Sequence, residues 1–246
     1  MLKPIIEFDY FGLNIYLLMA CVGILFSILI LLKRMKELKI SEKEELTIIL
    51  ILSSSALIGL LMANMTNWLF MPELLKLPIL ERFEQAGFNF YGGILSFLLC
   101  TYLLIKLFKM NSKQWMNLIV PSILIFHAFG RIGCSLAGCC YGIEWHSYPL
   151  IAHTHFELFP AREIESLVLI IMTFIFLKRE ISKPLLVYLL FYASIRFLLE
   201  FLRGDYRGHL FVSFFSPAQV ISLLLVIMVL FYWFFGKVFK RKINHY

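Results

Sequence analysis

The sequence predicts an all-α, polytopic membrane protein with seven transmembrane helices in a single integral membrane domain over residues 1–246. Hydrophobic residues make up 61% of the chain and charged residues only 16%, whereas soluble domains carry about 25% charge. Apolar runs recur along the whole chain, each near the ~20 residues that cross a hydrocarbon core. Because the bilayer core offers the backbone no hydrogen-bonding partner, runs of this length must be helices.

The predicted spans follow the apolar runs in order. The first continues past Cys21 and ends at the basic stretch 33–36, which favours a retained helix over a cleaved lipoprotein signal. The fifth is clean only from Ser166 to Leu177, so its helix must begin near Pro160 and include charged residues. The spans are predicted at residues 11–32, 46–68, 91–108, 115–135, 160–177, 184–203 and 215–236.

The basic residues predict the orientation of these spans. Fifteen of the 23 basic residues lie at Lys106 or in the connections 33–45, 109–114, 178–183 and 237–246. By the positive-inside tendency these connections face the cytoplasm, so we expect the N-terminus outside and the C-terminus in the cytoplasm. The net charge of +7 then reflects membrane topology, and no nucleic-acid partner is expected.

The arginines do not follow the lysines. Most lysines lie on the predicted cytoplasmic side, whereas six arginines fall on the outer side, where topology disfavours them. A guanidinium can hold a phosphate or carboxylate through two parallel hydrogen bonds, which a lysine cannot do. The six are Arg82, Arg131, Arg162, Arg196, Arg203 and Arg207.

Three spans place ionisable side chains at their predicted outer ends. Residues three or four apart share a helix face. The resulting stripes are Tyr188, Tyr192, Arg196, Glu200 and Arg203 in span six, His127, Arg131 and Cys134 in span four, and Arg162 with Glu165 in span five. Because a lone charge in the membrane costs at least about 3 kcal/mol, we expect these stripes to share one polar cavity.

The stripes allow two interpretations. Arg196–Glu200 and Arg162–Glu165 would be structural ion pairs if stability were their whole role. Arg131 and Arg203 have no acid beside them in this arrangement, which favours an anion site. In a membrane the expected anion is a lipid phosphate.

Two glycines open span three. Gly92 and Gly93 would let other groups approach the backbone closely, and free amides there attract negative charge. The alternative is close packing between helices, for which Gly-Gly is common in membranes.

The cysteines near the outer side leave three interpretations open. Cys134, Cys139 and Cys140 would line a cavity as small residues, form a Cys134–Cys139 disulfide, or bind a metal with nearby histidines. Because Cys-x4-Cys-Cys is not a familiar zinc spacing, cavity lining is favoured and no metal is expected.

Several motifs together resemble the bacterial prolipoprotein diacylglyceryl transferase family, which also has seven spans and an external N-terminus. The most specific is the segment 130–142, Gly-Arg-Ile-Gly-Cys-Ser-Leu-Ala-Gly-Cys-Cys-Tyr-Gly; the segments 196–203, 216–222 and 159–166 are also similar to family motifs. The chain departs from the family pattern at four positions. Tyr91 stands in place of a His, Cys134 in place of an Asn, Phe11 in place of a Tyr, and Arg162 in place of a Gln.

The resemblance implies transfer of a diacylglyceryl group from phosphatidylglycerol, or a similar anionic phospholipid, to the thiol of a lipoprotein precursor in the bacterial plasma membrane. Glycerol phosphate is released, and neither a metal nor an organic cofactor is needed. Arg131 and Arg196 would stabilise the leaving phosphate. Tyr91 would act as the base, unless the arginines alone favour the thiolate. The expected substrate-binding residues are Gly92, Gly93, Cys134, Gly142, Arg162, Glu165, Glu200, Arg203 and Gln219.

Two other function classes remain open. One is a scaffold that binds lipid without turnover. The other is an anion or lipid transporter using the same arginines. Transporters tend to have repeated halves and a binding site near the midplane, whereas this sequence shows no internal repeat and its charges lie toward one face.

Overall fold

The computed structural model describes residues 15–144, 158–204 and 215–243, without the side chains of Phe70, Pro72 and residues 236–243. Phe11 and Arg207 lie outside these ranges. The described chain is helical, with a short 3-10 helix and two isolated β-bridges, which confirms the all-α prediction. The helices are α1 (Ile15–Glu37), α2 (Glu42–Phe70), α3 (Ile79–Ala86), α4 (Phe90–Leu107), α5 (Ser112–Leu136), α6 (Ala161–Lys178), α7 (Pro184–Glu200) and α8 (Pro217–Ile243).

Seven of these helices correspond to the seven predicted spans. Five of them, namely α1, α2, α4, α5 and α8, are long and apolar enough to cross a membrane. Helix α6 has 18 residues but includes Arg162, Glu163, Glu165 and Lys178, and α7 has only 17 residues. A multi-pass membrane protein follows from the five long helices. The number of spans and their orientation stay predictions.

Capping and charged residues explain where α2 begins and why some helices extend beyond their apolar runs. The Ser41 side chain accepts a hydrogen bond from the Glu44 amide at 3.4 Å, and acidic residues fill the first turn of α2. This cap and the favourable helix dipole start α2 before its apolar run. At the other end of the same connection, α1 continues through its basic residues to Glu37.

Contacts divide the described chain into two compact units. In the unit Lys33–Met116, α2 packs along α4. Gly92 permits this approach, because a Cβ there would collide with the Thr66 side chain. The Asn67 side chain donates to the Ala86 carbonyl at 2.8 Å, which ties the end of α3 to α2.

The second unit contains α1 as far as Leu32, α5 from Asn117, and helices α6 to α8. The Asn117 side chain holds the α6–α7 connection through two hydrogen bonds to the backbone of Ile181, at 2.8 and 3.0 Å. Helix α1 lies close to α5: a Cβ at Gly23 would lie 2.9 Å from the Phe129 Cβ, and the rings of Phe26 and Phe129 stack with centroids 5.1 Å apart. This unit brings the predicted stripes of α5, α6 and α7 together.

Candidate active site

Glu165 of α6 is the meeting point of three helices. One carboxylate oxygen is 2.9 Å from Arg131 Nε of α5, and the other is 3.3 Å from Arg196 Nη1 of α7. The Tyr192 hydroxyl of α7 donates to the same carboxylate at 3.0 Å. Glu165 and Arg196 are each 2% exposed and Arg131 6%. Arg131, Glu165 and Arg196, one from each predicted stripe, therefore meet in a buried group, while the shared polar cavity stays a prediction.

Glu200 forms a second carboxylate centre beside the first. Its Oε2 lies 2.8 Å from Arg196 Nη2 and 3.6 Å from Arg203 Nε. Its Oε1 accepts a hydrogen bond of 3.0 Å from the Ser216 hydroxyl, just before α8. Arg196 thus bridges Glu165 and Glu200, and the ion pair Arg196–Glu200 expected from the sequence is confirmed.

Gln219 acts here through the start of α8. Its side chain accepts a hydrogen bond from the Ser216 amide at 2.9 Å, while its own amide donates to the Ser216 hydroxyl at 3.2 Å. This reciprocal arrangement is a capping box. It fixes the orientation of Ser216 and thereby the position of the Glu200 carboxylate.

The expectation that Arg131 and Arg203 have no acid beside them is wrong. Arg131 pairs with Glu165, and Arg203 pairs with Glu200. The pairing of Arg131 crosses from α5 to α6, and counting residues along one helix cannot detect it. Among the five side chains Arg131, Arg196, Arg203, Glu165 and Glu200, the guanidinium groups still outnumber the carboxylates.

Arg162 belongs to a neighbouring group of contacts. Its Nη1 donates to the carbonyl oxygens of Cys139 at 2.7 Å and Cys134 at 3.3 Å. Its Nε lies 3.5 Å from Glu163, whose carboxylate also accepts from the Ser135 hydroxyl. The expected pair Arg162–Glu165 is replaced by Arg162–Glu163, because Glu165 turns to Arg131 and Arg196.

Gly142 brings three stretches of backbone into contact. It forms an antiparallel bridge with Arg203, and a Cβ at this position would collide with the Phe159 backbone. The Ile143 amide donates to Leu202 at 3.0 Å. The residue thus serves close backbone approach, and it places the chain that follows the cysteines against the end of α7.

The other predicted residues separate into two places. The thiols of Cys134, Cys139 and Cys140 cluster within the same unit as the arginines. Tyr91, Gly92 and Gly93 belong to the unit Lys33–Met116, where the Asn89 side chain accepts from the Gly92 amide at 3.1 Å and the Asn89 carbonyl accepts from that of Gly93 at 3.1 Å. For both glycines this favours the packing interpretation.

Three further side chains contribute to the site: Tyr192 and His127, which the predicted stripes contained without an assigned role, and Ser216. Tyr192 donates to Glu165, Ser216 donates to Glu200, and the His127 Nε2 atom lies 3.9 Å from Glu165. The rings of His127 and Tyr192 also meet edge to face, with centroids 4.6 Å apart. The spacing of four residues from Arg131 and from Arg196 placed His127 and Tyr192 in the predicted stripes, but it did not show that both face Glu165.

Comparison with known proteins gives one consistent family. A sequence model of the family described as prolipoprotein diacylglyceryl transferase matches residues 4–235. The chain is 31% identical to a phosphatidylglycerol–prolipoprotein diacylglyceryl transferase of Clostridium tetani, over 94% of this chain and 96% of that protein. A similarly named Clostridium perfringens protein is 31% identical over 95% and 96%, and one from Campylobacter jejuni is 26% identical over 92% and 91%.

Proposed function

This chain belongs to the prolipoprotein diacylglyceryl transferase family, and on that premise we propose that it transfers a diacylglyceryl group from phosphatidylglycerol to the cysteine thiol of a lipoprotein precursor. The sulfur attacks the glycerol carbon that carries the phosphate, and the carbon–oxygen bond to phosphate breaks. A thioether forms, glycerol phosphate leaves, and the thiol proton passes to a base or to water. The reaction therefore needs a site that stabilises a leaving phosphate.

The observation that carries this proposal is the buried arginine group of Arg131, Arg196 and Arg203. The carboxylates of Glu165 and Glu200 pair with its three guanidinium groups and hold them in place. Fixed cationic donors stabilise developing negative charge most strongly where water is excluded. A phosphate that enters beside these guanidinium groups meets donors already oriented, so little reorganisation is required during the reaction.

The two glutamates act as positioning residues in this mechanism. Glu165 fixes the relative orientation of Arg131 and Arg196, and Glu200 fixes Arg196 and Arg203. Because a guanidinium group is planar and holds its five N–H donors in a fixed arrangement, an ion pair along one edge also sets the direction of the other donors. The carboxylates thus reduce the cost of burying the arginines and fix the orientation of each guanidinium group.

Formation of the thiolate is the other chemical requirement. A free cysteine has a pKa of about 8.5, so only a small fraction is ionised near neutral pH. We assign the role of base to the Tyr91 hydroxyl. Positive charge from the arginines would favour the same ionisation.

The proposed setting is the bacterial plasma membrane, with seven spans, an external N-terminus and a cytoplasmic C-terminus. In this arrangement the C-terminal ends of α5 and α7 and the N-terminal end of α6 share the outer side. Phosphatidylglycerol or a similar anionic phospholipid would enter from the bilayer, and the precursor would present its cysteine at the same surface.

A turnover assay tests the proposal. The full chain, purified in detergent, is incubated with phosphatidylglycerol and a peptide bearing the acceptor cysteine, and products are identified by mass. We expect a diacylglyceryl thioether together with glycerol phosphate, and no product from a peptide with serine at that position. If the chain binds lipid but forms no product, the conclusion would be a non-catalytic lipid-binding protein.

A further inference from the structure

Three thiols converge at the end of α5. The Sγ atoms of Cys134, Cys139 and Cys140 all lie within 4.8 Å of one another, and none of the three is in a disulfide. Cys134 is buried, and the other two are half-buried. In a tetrahedral zinc site with zinc–sulfur bonds of about 2.3 Å, two ligand sulfurs are about 3.8 Å apart. The observed spacing therefore needs only a small contraction to match that geometry.

A tight turn builds this cluster. Helix α5 ends at Leu136, and the Cys139 amide returns to the Cys134 carbonyl with a hydrogen bond of 3.1 Å. Gly138 has φ 69° and Cys140 has φ 59°. The left-handed conformation is unfavourable for a residue with a side chain. At Cys140 it directs the chain so that the third thiol joins the other two.

Neighbouring elements hold the turn in place. The Arg162 guanidinium of α6 donates to the carbonyls of Cys134 and Cys139, as described above. Directly after the turn, the Tyr141 carbonyl accepts from the Gly204 amide at 3.0 Å. Contacts to α6 and to the end of α7 therefore organise the three thiols in advance, which reduces the entropy that a ligand must overcome.

We propose that Cys134, Cys139 and Cys140 form a three-thiolate binding site for a soft divalent cation of the zinc class. Thiolate sulfur selects soft and borderline metals over magnesium or calcium. Three protein ligands leave the fourth tetrahedral position open to water or to another ligand, as in catalytic zinc sites. One dication with three thiolates carries a net negative charge, which the adjacent Arg162 guanidinium offsets.

The other interpretations account for less of the geometry. A disulfide joins two sulfurs and gives no reason for the third to lie within 4.8 Å of both. Cavity lining by small residues does not require their sulfur atoms to point toward one another. Residue spacing alone could not distinguish these cases, since it does not show where Cys140 turns.

Metal binding can be measured on the full chain without lipid or peptide. The protein is purified in detergent with a reducing agent, exposed to zinc, desalted and analysed for metal content. We expect about one zinc ion per chain for the parent. Cobalt in place of zinc should give thiolate-to-metal charge-transfer absorption. Cys139→Ser and Cys140→Ser should each lose most of the bound metal and this absorption, whereas the control Cys100→Ser, in α4, should retain both.

Protection of the thiols gives a second measurement that needs no variant. Zinc should shield the three clustered cysteines from an alkylating reagent, and a chelator should restore their reactivity. The site is refuted if the reduced parent binds no zinc, or if Cys139→Ser and Cys140→Ser bind it as the parent does. A chain mass showing a disulfide within the cluster, together with absent zinc binding, would assign a redox role instead. Loss of lipid turnover alone would bear only on the proposed function.

Discussion

At the scale of single residues, Glu165 stabilises two buried arginines that belong to two different helices. Its oxygens accept from Tyr192 and lie within ion-pair distance of Arg131 and Arg196. Burial of three ionised groups is costly in itself. The arrangement persists because each charge has a partner, so that removing the shared carboxylate affects both arginines together.

Replacing this carboxylate should destabilise the protein. Glu165→Gln leaves Arg131 and Arg196 with uncompensated buried charge, and we expect a loss of about 3 kcal/mol in the free energy of unfolding. Thermal unfolding in detergent measures this. The matched control is Glu163→Gln, two residues earlier on α6 and 43% exposed in its side chain, where an ion pair is worth at most about 1 kcal/mol. Equal melting temperatures for the two variants would contradict the central role of Glu165.

The arginines should matter more for turnover than for insertion. Arg131→Lys and Arg196→Lys keep the charge but remove the two-pronged donor geometry, so we expect a loss of about 2–4 kcal/mol in transition-state stabilisation. The rate constant for thioether formation reports it. Arg179→Lys, at an exposed position after α6, serves as the control. If both site variants fold and turn over lipid like the parent, the arginines are structural ion-pair members.

Replacing Tyr91 tests whether its hydroxyl is the base that removes the proton from the acceptor thiol. Tyr91→Phe removes only a hydroxyl, and loss of a general base should reduce the rate roughly a hundredfold or more. The control is Tyr102→Phe on the same helix, where the ring contacts Lys106 at 5.0 Å. A Tyr91→Phe enzyme that retains nearly full rate would leave thiolate formation to the arginines.

At the scale of elements, glycines decide how closely helices approach. Gly92 of α4 faces Thr66 of α2 with no space for a Cβ, whereas Gly130 of α5 has nothing within 4 Å of the position a Cβ would take. Both residues lie inside helices. Close packing therefore requires glycine at position 92. At position 130, the contacts of the described residues leave room for a side chain.

These two glycines form a matched pair for mutation. Gly92→Ala should force α2 and α4 apart and cost about 1–3 kcal/mol of stability. Gly130→Ala should be neutral or stabilising by up to about 1 kcal/mol, because alanine favours the helix. Thermal unfolding of both variants under the same conditions is the measurement. Equal effects at the two positions would show that close α2–α4 packing is not what Gly92 provides.

At the scale of the whole molecule, the distribution of lysines predicts the direction in which the chain crosses the membrane. A reporter fused after Tyr246 should be cytoplasmic, and one inserted between residues 145 and 155 should be external. Accessibility to a reagent that cannot cross the membrane distinguishes the two locations. If both reporters lie on the same side of the membrane, the seven-span arrangement is wrong. The proposal that the site opens on the outer side would then be wrong as well.

The sequence by itself determined which segments are helical. Apolar runs near the length of a membrane crossing gave seven regions that match α1, α2, α4, α5, α6, α7 and α8. The match is good because a helix is the only structure that satisfies its own backbone in lipid. The ends differ by several residues in α1 and α8, since basic residues outside the apolar run can still continue a helix.

Only the tertiary structure decided which charged residues meet. Residue counting found Arg196 beside Glu200 within one helix, but it missed the pairing of Arg131 with Glu165. It also left open how the three thiols at the end of α5 are arranged. In a soluble protein the apolar face of a helix identifies its buried side. In a membrane the outward face is apolar too, as exposed Phe174 and Leu198 show. The sequence therefore does not specify the rotation of each helix about its axis, and contacts between helices depend on that rotation.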